Sequence, residues 1–176
     1  MANKFKIHNR KSIRLKDYDY SQNGMYFITI CTQKRDCILS NIIANNVGAG
    51  LVSAQIKLTE IGSSINNIYL NLENEFENIK LHDFIIMPNH IHGIIEICKR
   101  ADTGPAPTLS DIICSFKTRT TGYILKGIKM GKYKPIDKRL WQRNYYEHVI
   151  RNEKEYIQIV EYIINNPINW NEDEYY

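Results

Sequence analysis

The sequence predicts a mixed α+β chain: an antiparallel sheet with helices on one face and a further helix at the C-terminal end. Three observations carry that expectation. Short runs of β-branched and aromatic residues recur along the chain, two helical periodicities are set between them, and an N-x-x-E pattern opens a last amphipathic stretch that a proline closes.

Residues 1–22 are basic and polar and read as an arm of a single domain spanning 1–176. GMYFITICTQ (24–33) is rich in aromatic and β-branched residues and reads as a strand. Residues 37–58 read as a hairpin excursion with its tip at Asn45–Gly50. Thr59 can cap a helix to about Leu72, with Ile61, Ile65, Ile68 and Leu72 at helical spacing. A second strand lies within Phe76–Met87, the pair Pro88-Asn89 marks a turn, and HIHGIIEIC (90–98) is a third strand. After a loop at 100–107, Thr108 or Ser110 caps a second helix to about Lys126. A short strand follows within Arg139–Val149. The last helix starts after Asn152 and stops at Asn166, before Pro167. Apart from the hairpin, the order β-α-β-β-α-β is the split ferredoxin-like pattern, with the terminal helix added. RNA-recognition modules share that architecture, so the fold does not choose the function.

With 43% hydrophobic residues a sizeable core can form. The net charge of +4, from 23 Lys+Arg against 19 Asp+Glu, permits a nucleic-acid partner without requiring one. The positive charge gathers at 4–16 and 126–143. Cys31, Cys37, Cys98 and Cys114 form no CxxC pair; Cys31 and Cys98 lie in apolar runs and read as buried thiols. No signal peptide or membrane-length apolar run is visible, so a cytoplasmic protein without a membrane partner is expected.

Two patterns carry chemistry. In a strand, side chains alternate faces, so His90 and His92 point the same way and can chelate one divalent ion, while Ile91, Ile95 and Ile97 face the core. On the terminal helix, read at about 100° per residue, Ile157, Val160 and Ile164 form the stripe expected to face the sheet. Tyr162 then lies nearly opposite, on a polar face with Gln158 and Asn166. His82 and His148, on neighbouring strands, read first as satisfied histidines. A neutral phenol is a weak nucleophile, but beside a divalent ion that polarises a phosphodiester it can attack phosphorus. The product is a covalent phosphotyrosine that keeps the energy of the broken bond, so the strand can be rejoined elsewhere.

At these residues the chain resembles a known family. MPNHIHGIIEI (87–97) resembles the histidine–hydrophobic–histidine (HUH) motif of single-strand DNA transposases and relaxases. LWQRNYYEHVIRNEKEYIQIVEYIINNP (140–167) and RKSIRLKDYDYSQNGMYFITICTQKR (10–35) resemble segments of the REP-associated tyrosine transposases. The resemblance implies a ferredoxin-like fold, a Mg²⁺ or Mn²⁺ cofactor, and cleavage and rejoining of single-stranded DNA through a 5′-phosphotyrosine. The DNA would be cut beside a hairpin of the repetitive extragenic palindrome kind, by a monomer or a homodimer. His90 and His92 would take the ligand positions, Asn166 that of a candidate third ligand, and Tyr162 that of the nucleophile. DNA contacts are expected from Arg10, Lys11 and Arg14 in the arm, and from Lys117, Arg119 and Arg143. Two rivals stay open: a non-catalytic nucleic-acid-binding module stacking bases on Tyr26 and Phe27, and a metal-dependent hydrolase using water. Neither would form a covalent adduct.

Overall fold

Strand-forming residues segregate by face, and that segregation builds the molecule in layers. The computed structural model describes residues 19–20, 22–47, 51–98, 107–136 and 139–172. Four strands, β1 (Gly24–Cys31), β4 (Ile79–Ile86), β5 (His90–Ile97) and β6 (Tyr146–Ile150), form one antiparallel sheet in the order β4-β5-β1-β6. Between β1 and β4 the chain makes a separate two-stranded ribbon, β2 (Ser40–Val47) and β3 (Leu51–Leu58), then the helix α1 (Glu60–Leu70) and the single turn α2 (Leu72–Glu75). The long helix α3 (Leu109–Lys129) links β5 to β6, and α4 (Glu153–Asn165) closes the series.

Each of the three long helices starts where a side chain satisfies its free amides. Thr59 accepts from Gly62 N at α1, Thr108 and Asp111 form a reciprocal capping box at α3, and Asn152 accepts from Glu155 N at α4. The Glu155 carboxylate accepts from Arg151 N and meets His148. Gly62 permits the close approach of α1 to the ribbon, since a Cβ there would stand 1.8 Å from the Leu39 carbonyl oxygen. Gly122 lies in the interior of α3, where glycine costs about 1 kcal/mol relative to alanine; a Cβ at this glycine would meet nothing within 4 Å.

One face of the sheet presents Tyr26, Ile28, Ile30, Ile91 and Ile95 to Ile65 and Tyr69 of α1 and to Ile112, Phe116 and Ile124 of α3. The opposite face presents Phe27, Ile94 and Ile150 to Ile163 of α4, with Tyr156, Ile159 and Val160 packed around them. Two expectations are corrected here. The buried stripe of α4 runs through Tyr156, Ile159, Val160 and Ile163, while Ile157 and Ile164 are 49% and 61% exposed. Tyr162 therefore flanks the buried stripe instead of lying opposite it. Cys98 is half-buried rather than buried, because it stands just past the end of β5; none of the four cysteines is in a disulfide. The tip of the ribbon and the arm at 1–18 lie outside the described residues. No helix among the described residues is long and apolar enough to cross a membrane.

Candidate active site

The site grows from register. Antiparallel pairing sets His92 opposite Thr29 on β1 and Ile85 on β4, and His90 opposite Cys31. The turn before β5 is tied down by its own backbone: Asn89 O accepts from Thr32 N at 2.8 Å and from Thr32 Oγ1 at 3.0 Å. Both imidazoles are fully buried, on the sheet face that α4 covers.

Their ring nitrogens converge. His90 Nε2 and His92 Nε2 are 3.0 Å apart. Asn89 Oδ1, an acceptor only, sits 2.8 Å from His90 Nδ1, so that nitrogen carries the proton and His90 Nε2 keeps its lone pair. His92 Nδ1 is 2.9 Å from the Thr29 hydroxyl, which can donate or accept. When the hydroxyl donates, His92 Nε2–H donates to His90. When it accepts, both Nε2 lone pairs face the same point. Burial, reinforced by the neighbouring His90, holds the His92 pKa well below that of an ordinary histidine, which keeps the ring neutral as a ligand must be.

Tyr162 completes the group. Its hydroxyl is 3.2 Å from His92 Nε2, and the residue is 41% exposed. Phe27 stacks on His92 at 5.3 Å between ring centroids and meets Tyr162 edge-on at 6.1 Å. Trp170 stacks on His90 at 5.9 Å. Asn166 caps α4 one turn beyond Tyr162 and is 2% exposed.

The two imidazoles fit two neighbouring positions around a divalent ion. Two cis ligands of an octahedral ion at about 2.1 Å stand about 3.0 Å apart, which matches the observed nitrogen separation. No group of three or more His, Cys, Asp or Glu among the described residues could close a tetrahedral site.

The other sequence candidates are placed as follows. His82 pairs with Glu96 at 2.8 Å and His148 with Glu155 at 3.0 Å, so both histidines have carboxylate partners. Lys117 lies on α3 and donates to the carbonyls of Gln142 and Asn144 at 3.0 and 2.9 Å; burial pushes its ammonium down to about 8, partly offset by the Cys31 and Cys114 thiols. Arg119 pairs with Glu75, and Arg143 is exposed just before β6. Arg10, Lys11 and Arg14 lie outside the described residues. Sequence reasoning missed Thr29, Asn89 and Trp170, and read Phe27 as an exposed stacking platform rather than as packing against His92. Asn89 was adjacent to the motif and readable as a partner; the others are brought in by register and packing.

The sheet thus sets two buried imidazoles beside a tyrosine on the covering helix. The chain belongs to the IS200-like transposase family, whose description matches residues 20–166. It is 37% identical to an uncharacterised protein of Haemophilus influenzae over 97% of this chain and 94% of that one. A second protein of that organism, provisionally named a REP-associated tyrosine transposase, is 24% identical over 85% of this chain and 73% of its own length. Among solved structures, a REP-associated tyrosine transposase bound to a REP hairpin matches with TM-score 0.58 at 19% identity, over 90% of this chain and 74% of that one. A provisionally assigned transposase of Deinococcus radiodurans matches with TM-score 0.50 at 16% identity, over 86% of this chain and 95% of that one. Membership makes this a DNA-binding protein of DNA transposition.

Proposed function

We propose that the chain is a metal-dependent, single-strand DNA endonuclease and strand transferase that works through Tyr162 beside DNA hairpins. One observation carries the reading: the Tyr162 hydroxyl stands 3.2 Å from His92 Nε2, next to the converging histidine pair. The fold reading that goes with it is the split ferredoxin-like βαββαβ arrangement, supported by the order β4-β5-β1-β6 with α1 and α3 on one face.

In this reading His90 and His92, with Asn166 as a candidate third donor, hold Mg²⁺ or Mn²⁺. When bound, the ion supplies charge neutralisation at the scissile phosphate. Thr29 and Asn89 orient the two imidazoles. Phe27 fixes the His92 ring and the edge of Tyr162. Tyr162 Oη forms the bond to phosphorus and the P–O3′ bond breaks. The phenol loses its proton, the departing 3′ oxygen gains one, and a 5′-phosphotyrosine and a 3′-hydroxyl result. Reversal with another 3′-hydroxyl joins strands. The REP-type hairpin as substrate is supported by likeness to the hairpin-bound structure. The binding-module rival loses its platform: Tyr26 is buried under α1 and α3, and Phe27 under α4.

Incubation with a labelled hairpin bearing single-stranded flanks, plus Mg²⁺ or Mn²⁺, is expected to give a covalent complex that survives denaturation. Tyr162→Phe removes only the hydroxyl and is expected to fold yet form no adduct, whereas Tyr156→Phe and Tyr146→Phe retain it. An adduct that persists in Tyr162→Phe and vanishes in either control would assign the nucleophile elsewhere.

A further inference from the structure

A groove of about 700 Å³ opens on the other side of the sheet, between α3 and residues 139–145. Its charge is one-sided. Arg139 and Arg143 stand exposed on its rim, Lys117 lies at its wall, and among the described residues no Asp or Glu lines it. The remaining surface is largely apolar, with the exposed Leu125 and the half-buried Tyr145 above the buried Trp141. Trp141 is held in place by its indole N–H, which donates to Thr120 Oγ1 at 2.8 Å. Lys117 sits 5.5 Å from the centre of the Tyr145 ring while gripping the carbonyls on either side of Arg143. The walls are therefore set before any ligand arrives. Gly122 contributes bare backbone to the lining, and nothing packs where its side chain would be.

The groove and the reaction centre are joined in sequence at the start of β6. Tyr145 lines it, and the next residue, Tyr146, begins β6 and turns to the opposite face, as successive strand residues do. There Tyr146 meets Phe27 edge-on at 6.3 Å, and Phe27 touches both His92 and Tyr162. A ligand that wraps the β6 edge would run from the groove to the Tyr162 hydroxyl.

We propose that this groove holds unpaired nucleotides of the strand whose phosphodiester Tyr162 attacks, with a base against the half-buried Tyr145 and the exposed Leu125, and phosphates on Arg139 and Arg143. The proposal rests on the endonuclease reading above for the identity of its ligand. A cationic rim with an aromatic, apolar floor is the chemistry that recognises single-stranded nucleic acid without reading sequence.

The test is binding of a fluorescein-labelled oligothymidylate to the full chain in EDTA, followed by anisotropy across a salt series. Gly122→Leu adds no charge, favours the helix and fills the groove; it is expected to bind about tenfold more weakly with an unchanged salt slope. Arg139→Ala with Arg143→Ala is expected to reduce the slope of log K against log salt by roughly 1.4, about 0.7 for each phosphate no longer neutralised. A blunt duplex of the same length is expected to bind Gly122→Leu and the parent chain alike. Parental affinity for oligothymidylate in Gly122→Leu, with a parental slope in the arginine variant, overturns the proposal. So does an equal loss on the duplex, because that would make the groove a phosphate track with no place for a base. Binding is read without metal or cleavage. A chain that binds oligothymidylate through this groove yet forms no adduct therefore sinks the endonuclease reading alone.

Discussion

The two faces of one sheet are built to different specifications. Under α1 and α3, more than a dozen large apolar side chains interlock with no buried histidine among them. Under α4, four buried apolar residues, Phe27, Ile94, Ile150 and Ile163, form a small raft, and beside it lie His90 and His92 with Tyr162 at the helix margin. Burying a large apolar side chain contributes roughly 1.5–3 kcal/mol, so the first face is where stability accumulates. Burying an uncharged but polar imidazole is unfavourable unless it is hydrogen-bonded. The second face meets that condition through Thr29, Asn89 and the mutual contact of the two rings. A thin, partly polar cover leaves the tyrosine reachable from solvent, which a thick apolar one would not.

The largest difference is expected from paired truncations. Phe116→Ala, in the thick core, should lower unfolding free energy by about 3–5 kcal/mol, and Ile163→Ala, on the thin face, by about 2 kcal/mol. Urea denaturation measures both, and adduct yield under folding conditions is expected to fall more for Ile163→Ala, which loosens the seat of α4. Equal stability losses would break the distinction between the faces.

A smaller effect sharpens it at the strand that serves both faces. Gly93 follows His92 and points to the core side, where an added Cβ would come within 2.5 Å of the Tyr69 hydroxyl and 3.2 Å of Phe84 Cβ. Tyr69 is fully buried and cannot swing away. Gly93→Ala is expected to lower stability by about 1–3 kcal/mol, read as a drop in melting temperature. An unchanged melting point would show that the core face has slack at this strand.

The smallest effect concerns the rim of the thin face. The Glu155 carboxyl is held below its ordinary value of 4.5, first by the Arg151 N–H and then by His148. A depressed acid adds stability that is present above the unfolded value and is lost as pH falls through the folded one. Glu155→Gln is therefore expected to lower the melting temperature slightly near neutrality, with the gap closing below about pH 4.5. A gap that widens on acidification would remove Glu155 from the support of α4.

Much of this was legible in the residues. Strand alternation by itself put His90 and His92 on one face, and the cap candidates Thr59, Thr108 or Ser110, and Asn152 located the starts of all three long helices, with the structure choosing Thr108. Tyr162 was also singled out, but through a helix phase that the fold does not adopt. The stretch from Tyr156 to Ile164 carries Tyr156, Ile157, Ile159, Val160, Tyr162, Ile163 and Ile164, so apolar residues nearly encircle it. Periodicity fixes angular separations on a helix and leaves its rotation undetermined when two stripes compete. The sheet chose between them: seating Ile163 on Phe27, Ile94 and Ile150 turns Tyr162 toward His92, where the stripe through Ile157 and Ile164 would have turned it away.

The sequence by itself determined which elements bear His90, His92 and Tyr162, because alternation, capping and helical spacing are local properties of the chain. Only the tertiary structure decided that Thr29 would orient His92, that Lys117 would brace the approach to β6, and that a cationic groove would open behind it. Thr29 and His92 are 63 residues apart, and Lys117 and Gln142 are 25 apart. Partners at that distance are set by strand register and helix seating, which emerge from the burial of the whole apolar surface and leave no local pattern to read.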